Sequence, residues 1–250
     1  MTSLTAASVS SDDLDAGYSG AVALNSVSFT ALPGDRVALL GPNGGGKTTL
    51  IKTLSGELEP INGSFTLDGR AGLVPQHDPI QKDWPATTLD LAICGTLASL
   101  PWWRVPLRAE RKRAAEALEA VGLSEHASTL CGELSGGQRR RAQIAAALAG
   151  GSKILLLDEP FAGLDNVSSE QLERLLESLS TSGVTLLIAT HDLDQARSWE
   201  KVLCLNGRQV AFGEPTATLT RVVLEATFGS DLLELPGGGL IAPPHHHHHH

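Results

Sequence analysis

Apolar and polar residues change their rhythm along this chain. Through about the first seventy residues, short apolar runs alternate with Gly, Asn, Asp and Pro, as in LNSVSFTALPGDRVALLG and GSFTLDG, which predicts strands and hairpins. From Thr87 to Ala127 the spacing turns helical. In RAERKRAAEALEAVGL the residues Ala114, Leu118 and Val121 share one face, which predicts a helical insert. Beyond it, KILLLDEP and VTLLIATHD carry short apolar runs without alternation, as a parallel strand covered on both faces requires. The helix-spaced SSEQLERLLESLS lies between them, so strand, helix and strand predict a parallel crossover unit. No internal repeat is visible, and the only low-complexity segment is the C-terminal tail.

At 250 residues and 42% hydrophobic content the chain can build the core of one large domain or two small ones. The terminal HHHHHH follows a loose PGGGLIAPP and reads as an expression tag, which leaves His77, His126 and His191 as candidate chemistry. A formal charge of −9, with one local basic cluster, argues against a broad nucleic-acid surface, because counterion release needs clustered Lys and Arg. Cys94, Cys131 and Cys204 are odd in number and far apart, which fits a reducing cytoplasm better than a disulfide framework or a zinc site. No run approaches about twenty apolar residues and the first residues lack a signal-peptide pattern, so the chain is not expected to span a membrane itself.

Two glycine-rich loops carry the chemistry. GPNGGGKT satisfies G-x-x-x-x-G-K-[ST] between the strand-like RVALL and the helix-like TLIKTLSG. In such a loop Gly41, Asn43, Gly44, Gly45 and Gly46 turn backbone N–H groups toward phosphates, and the helix start with Thr48 and Thr49 adds its dipole. Lys47 would reach the outer phosphates, and the Thr48 hydroxyl would face Mg²⁺. At the end of ILLLDEP, Asp158 would hold Mg²⁺ through its water shell and Glu159 would act as general base toward an attacking water; a solvated strand end is the plain alternative. His191 closes the next buried strand, where it could orient that water or merely cap a helix. The second loop, LSGGQ, offers Ser135, Gly136, Gly137 and Gln138 at a helix start and should also bind an oxyanion. One γ-phosphate is not easily served by two distant loops of one small domain. A two-fold dimer removes the difficulty if the serine loop of one subunit closes over the nucleotide of the other.

GPNGGGKTT, LSGGQ, ILLLDEP and THD, in this order and spacing, resemble the ATP-binding subunit of an ATP-binding cassette (ABC) transporter over roughly residues 15 to 215. The resemblance implies an α/β fold: a P-loop NTPase core with a mixed, largely parallel sheet, an antiparallel β subdomain and a helical subdomain. It implies a single domain over residues 1–236, with core and β subdomain at about 14–86 and 150–230, the helical subdomain at about 87–149, and a disordered tagged tail from 237 to 250. It further implies ATP with Mg²⁺, a head-to-tail sandwich of two copies, and a second loop acting in trans. Tyr18 would stack on adenine rather than pack in a strand, Gln76 would reach Mg²⁺ and sense the membrane partner, and Asp165 would couple the two sites in trans. The partners implied are polytopic permease subunits and, indirectly, an extracytoplasmic solute-binding protein, which sets the chain peripherally on the cytoplasmic face of the cell membrane. One departure is visible: the family usually has Arg where this chain has Ala146.

Asp83, Trp84, Pro85, Trp102, Trp103 and Phe161 are similar to the branch that imports manganese, zinc or iron, although KDWPAT is shorter than that branch's usual segment. An ATPase serving import or efflux of another solute, or a non-transport ABC protein, are the alternatives. The stretch PWWRVPLRAERKR suits a membrane surface, but a solvated helix entered by a tryptophan pair suits it better. The groove between the helical insert and the glutamine loop is the expected permease dock.

Overall fold

The computed structural model describes residues 9–76, 84–97, 108–229 and the short pairs 233–234 and 240–241. The chain opens with β1 (Val9–Tyr18), β2 (Ala21–Ala31) and β3 (Arg36–Leu40), then α1 (Lys47–Leu54), β4 (Asn62–Leu67) and β5 (Ala71–Val74). Three helices follow, α2 (Thr88–Leu97), α3 (Arg108–Ala120) and α4 (Gly136–Ala149), with two short 3-10 turns between the last two. The crossover expected from the sequence is β6 (Ile154–Asp158), α5 (Asn166–Thr181) and β7 (Thr185–Thr190). The rest comprises α6 (Leu193–Ser198), β8 (Lys201–Leu205), β9 (Gln209–Gly213), α7 (Pro215–Thr218) and α8 (Arg221–Phe228).

The six-stranded sheet runs β5-β6-β7-β3-β8-β9, parallel throughout except that β9 turns back on β8. Its central strands are buried at nearly every position, and successive residues feed opposite cores. Val37, Leu39, Ile154 and Leu156 join a core with α1 and the three-stranded antiparallel sheet β2-β1-β4. Ala38, Leu40, Leu155 and Leu157 join the other, built with α2 to α6 and α8. The fold is therefore the α/β architecture expected, with a mixed sheet, an antiparallel β layer and a group of helices.

The helical spacing read in residues 108–123 is realised in α3, where Ala114, Ala117 and Leu118, with Val121 beyond it, are buried. Its cations lie on the exposed face, and Lys112 and Arg113 pair with Glu116 and Glu110, as a solvated helix requires. The stretches 77–83 and 98–107 lie outside the described residues, and with them His77, Asp83, Trp102 and Trp103. In the stretch expected as a disordered tail, Leu240–Ile241 pairs antiparallel with Leu233–Glu234. Among the described residues no helix is long and apolar enough to cross a membrane.

Contact between α2 and α4 is made backbone to backbone. A Cβ on Gly95 would stand 1.8 Å from the Ala146 carbonyl oxygen, and one on Gly150 would stand 2.6 Å from the Gly95 carbonyl oxygen. Ala146, where the family carries arginine, thus sits on a surface that admits the main chain of a neighbouring helix. Gly95→Ala should overpack this contact and destabilise the protein by about 1–3 kcal/mol, read as a lower urea midpoint at unchanged m-value.

Candidate functional site

The carboxyl ends of β3, β7 and β6 meet at one edge of the sheet, where ligands of open α/β sheets bind. There they line a cleft of about 1020 Å³. The first glycine loop leaves β3 and enters α1, closed by the Gly45 N–H on the Pro42 carbonyl at 3.0 Å. Glycine is required at two points. Gly46 has φ 99° with Leu24 beneath it, and a Cβ on Gly41 would come within 2.1 Å of the Leu205 carbonyl oxygen. Gly41, Asn43, Gly44, Gly45, Gly46, Lys47, Thr48 and Thr49 all line the cleft.

Lys47 is buried and its ammonium donates to the carbonyl oxygens of Gly41 at 2.7 Å and Pro42 at 3.0 Å. Burial lowers its pKa, opposed by the negative charges of Glu159 and Asp158. Asp158 ends β6 and is buried; loss of water pushes its carboxyl up, opposed by the Thr48 hydroxyl bonded to it, while Glu159 pushes it higher and Lys47 and Lys52 lower it. Glu159 follows in left-handed backbone, φ 47°, a conformation that costs about 1–3 kcal/mol in a non-glycine residue. Its N–H donates to the Ala189 carbonyl at 3.2 Å, and its Oε2 accepts from Gln76 Nε2 at 2.8 Å. That strained turn aims the carboxylate into the cleft beside Gln76.

His191 is exposed on the cleft wall. The helix cap it could have supplied comes from Asp192, whose Oδ1 accepts from the N–H groups of Asp194 and Gln195. Tyr18, at the end of β1, keeps 43% of its surface and lines the same cleft, with the Lys52 ammonium 5.8 Å from its ring centre. It is not a packed strand aromatic. Asn166, Ser169, Gln195 and Phe228 also line the cleft, and sequence reasoning missed them. Asn166 and Ser169 follow the acidic motif closely; Phe228, from α8, carries no sequence signal.

The second glycine loop is elsewhere. Ser135 caps α4: its Oγ accepts from the Gln138 N–H at 3.2 Å, while Gln138 Oε1 accepts from the Ser135 N–H at 2.8 Å. Gln138 Nε2 also lies 3.0 Å from His126 Nε2. Ser135 and Gly136 are exposed, and none of Ser135, Gly136, Gly137, Gln138 and Asp165 lines the cleft. A Cβ on Gly137 would meet the Ser168 side chain at 2.8 Å, so this loop abuts the start of α5, which Asp165 caps through the Ser168 N–H at 2.7 Å. The basic run after it bonds to the main chain. Arg139 donates to the Leu134 carbonyl, Arg140 to those of Pro75 and Gln76, and Arg141 to that of Val121.

Residues 24–162 match the ABC transporter family. The manganese transport system ATP-binding protein MntA of Synechocystis sp. is 36% identical, over 88% of this chain and 90% of its own length. The zinc transport system ATP-binding protein TroB of Treponema pallidum is 35% identical, over 91% and 89%. Among solved structures, an ABC transporter in an inward-facing conformation superposes with a TM-score of 0.81 at 30% identity, covering 88% of both chains. The cleft, its glycine loop and these likenesses make the chain a member of the ABC transporter family. Within that family it is the ATP-binding, ATP-hydrolysing subunit of a transporter.

The buried acid generates a prediction. A carboxyl whose folded pKa is raised contributes stability that is complete below its unfolded pKa and is lost as pH rises through the folded value. Without nucleotide or Mg²⁺, Asp158→Asn should melt above the parent protein at neutral pH. The gap should close as pH falls into the carboxylate range, and a lower melting temperature at pH 7 would contradict it.

Proposed function

We propose that this chain is the energy-coupling ATPase of an importer for a transition metal, manganese, zinc or iron, and that two copies sandwich two ATP molecules head to tail. The observation that carries the sandwich is the separation just described: the exposed Ser135 loop and Asp165 stand outside the cleft that holds Lys47, Glu159 and His191. The loop has the backbone donors and hydroxyl of an anion site, so a second copy's nucleotide is its natural ligand. The metal assignment is supported by the manganese and zinc systems in which the two relatives take part. Trp84, Pro85 and Phe161 of the branch pattern lie within the described residues.

In this reading Tyr18 stacks on the adenine, the loop from Gly41 to Thr49 wraps the phosphates, and the Lys47 ammonium exchanges its carbonyl partners for phosphate oxygens. Thr48, Asp158 and Gln76 offer hydroxyl, carboxylate and amide oxygens, a hard donor set suited to Mg²⁺. When bound, that ion supplies neutralisation of phosphate charge. Glu159 takes the proton of the attacking water, and His191 orients that water against the γ-phosphate. Ser135, Gly136, Gly137, Gln138 and Asp165 complete the partner's site. Residues from about 87 to 149 form the helical unit, which together with the glutamine loop receives the permease and sets the chain peripherally on the cytoplasmic membrane face. The permease in turn meets the extracytoplasmic solute-binding protein.

Glu159→Gln keeps shape and reach but removes the base, and should lower turnover by about 100-fold or more while ATP binding persists. Size-exclusion chromatography should then show a dimer with Mg·ATP and a monomer without it. Adding Ser135→Arg should abolish that dimer yet leave ATP binding by dilute monomer intact; loss of binding there would return the loop to the cis site. Deleting the gene should lower cellular manganese, zinc or iron and the uptake of that metal. An unchanged metal content with altered handling of another solute would overturn the metal assignment.

A further inference from the structure

Arg140 belongs to no part of the nucleotide site. It lies on α4, five positions after the exposed Ser135, and is only 7% exposed. Its guanidinium crosses to the end of β5 and donates to the Pro75 carbonyl at 2.5 Å and the Gln76 carbonyl at 3.0 Å, with Gln143 Oε1 at 3.3 Å on the same nitrogen that reaches Pro75. A buried cation held by consecutive main-chain carbonyls fixes that main chain tightly, since charge-assisted bonds are roughly twice as strong as neutral ones. The fixed residue is Gln76, whose side chain donates to Glu159 Oε2 at 2.8 Å. Glu159 itself sits in left-handed backbone, and the Gln76 amide bonds its carboxylate where that carboxylate enters the cleft.

We propose that Arg140 is a positioning residue for hydrolysis: its clamp on the Pro75 and Gln76 carbonyls holds the Gln76 amide against Glu159 and so orients the carboxylate that accepts the proton. The proposal rests on the reading of Glu159 as the base. A base oriented by a third group is a recurring design, and misplacement by about 1 Å can cost up to about 100-fold in rate. Arg140 does not line the cleft, so its loss should fall on kcat rather than on the KM for ATP. Since α4 also carries Ser135 at its start, the same helix links a loop facing the partner copy to the base of its own site.

The test uses the full chain with its permease. Arg140→Met keeps the aliphatic stem and removes every donor; it should lower kcat by about 10-fold with KM for ATP within about twofold. Arg140→Lys, which can still reach a carbonyl, should recover an intermediate kcat. In a Gln76→Ala background, adding Arg140→Met should cost less than about twofold more, because the two residues act in one chain of contacts. A wild-type kcat, a rise in KM that accounts for the loss, or losses that multiply in the double variant would overturn the proposal. Should Arg140→Met fail to fold, Arg140→Lys decides alone: intermediate kcat at unchanged KM supports the clamp and wild-type kcat overturns it. Near-normal turnover by Glu159→Gln would instead sink the underlying assignment of the base. An inactive Glu159→Gln beside fully active Arg140 variants would sink the clamp only.

Discussion

A strand covered on both faces has nowhere to put a polar side chain until it ends. The β3, β6 and β7 strands obey this almost without exception, and the divided cores show why: neighbouring residues face α1 and the antiparallel sheet on one side and the helices on the other. Chemistry is thereby pushed to one edge of the sheet, where the glycine loop, the Asp158–Glu159 pair and His191 emerge side by side. The site follows from the burial of the sheet. Burial marks its polar groups as a result, lowering the pKa of Lys47 and raising that of Asp158. The cleft is costly to the fold and available to a polyanionic ligand.

Much of this was legible in the sequence because it is encoded locally. GPNGGGKT and ILLLDEP each carry strand end, turn chemistry and functional side chain within a dozen residues, LSGGQ carries its helix cap, and the helical spacing around Ala114 to Val121 needs only its own period. Both glycine loops could be picked out as anion cradles, and the fold sets Ser135 and Gly136 outside the cleft that the first loop lines. The bland alternatives for Tyr18 and His191 were removed only by coordinates, one by the exposure of its ring and the other by a neighbour that takes the cap.

What could not be read is whatever depends on long separation or on the main chain of another element. The Arg140 grip on Gln76 spans 64 positions and targets carbonyls, which every residue possesses, so no side-chain pattern announces it. In sequence the three consecutive arginines form a local basic cluster; in the fold each donates to backbone oxygen. Phe228 reaches the cleft from α8 for the same reason, through topology rather than motif. Ala146 reads as a loss when set against the family's arginine and becomes intelligible only beside Gly95.

That Gly95–Ala146 contact has a mechanical side. Helices that meet through long side chains can slide as rotamers yield, whereas main chains in contact at van der Waals distance have no such slack. With Gly95 against Ala146 and Gly150 against Gly95, α2 and α4 behave as one stiff lever rather than two springs in series. A force applied to α2 would reach the Ser135 end of α4 as displacement, with little of it dissipated on the way.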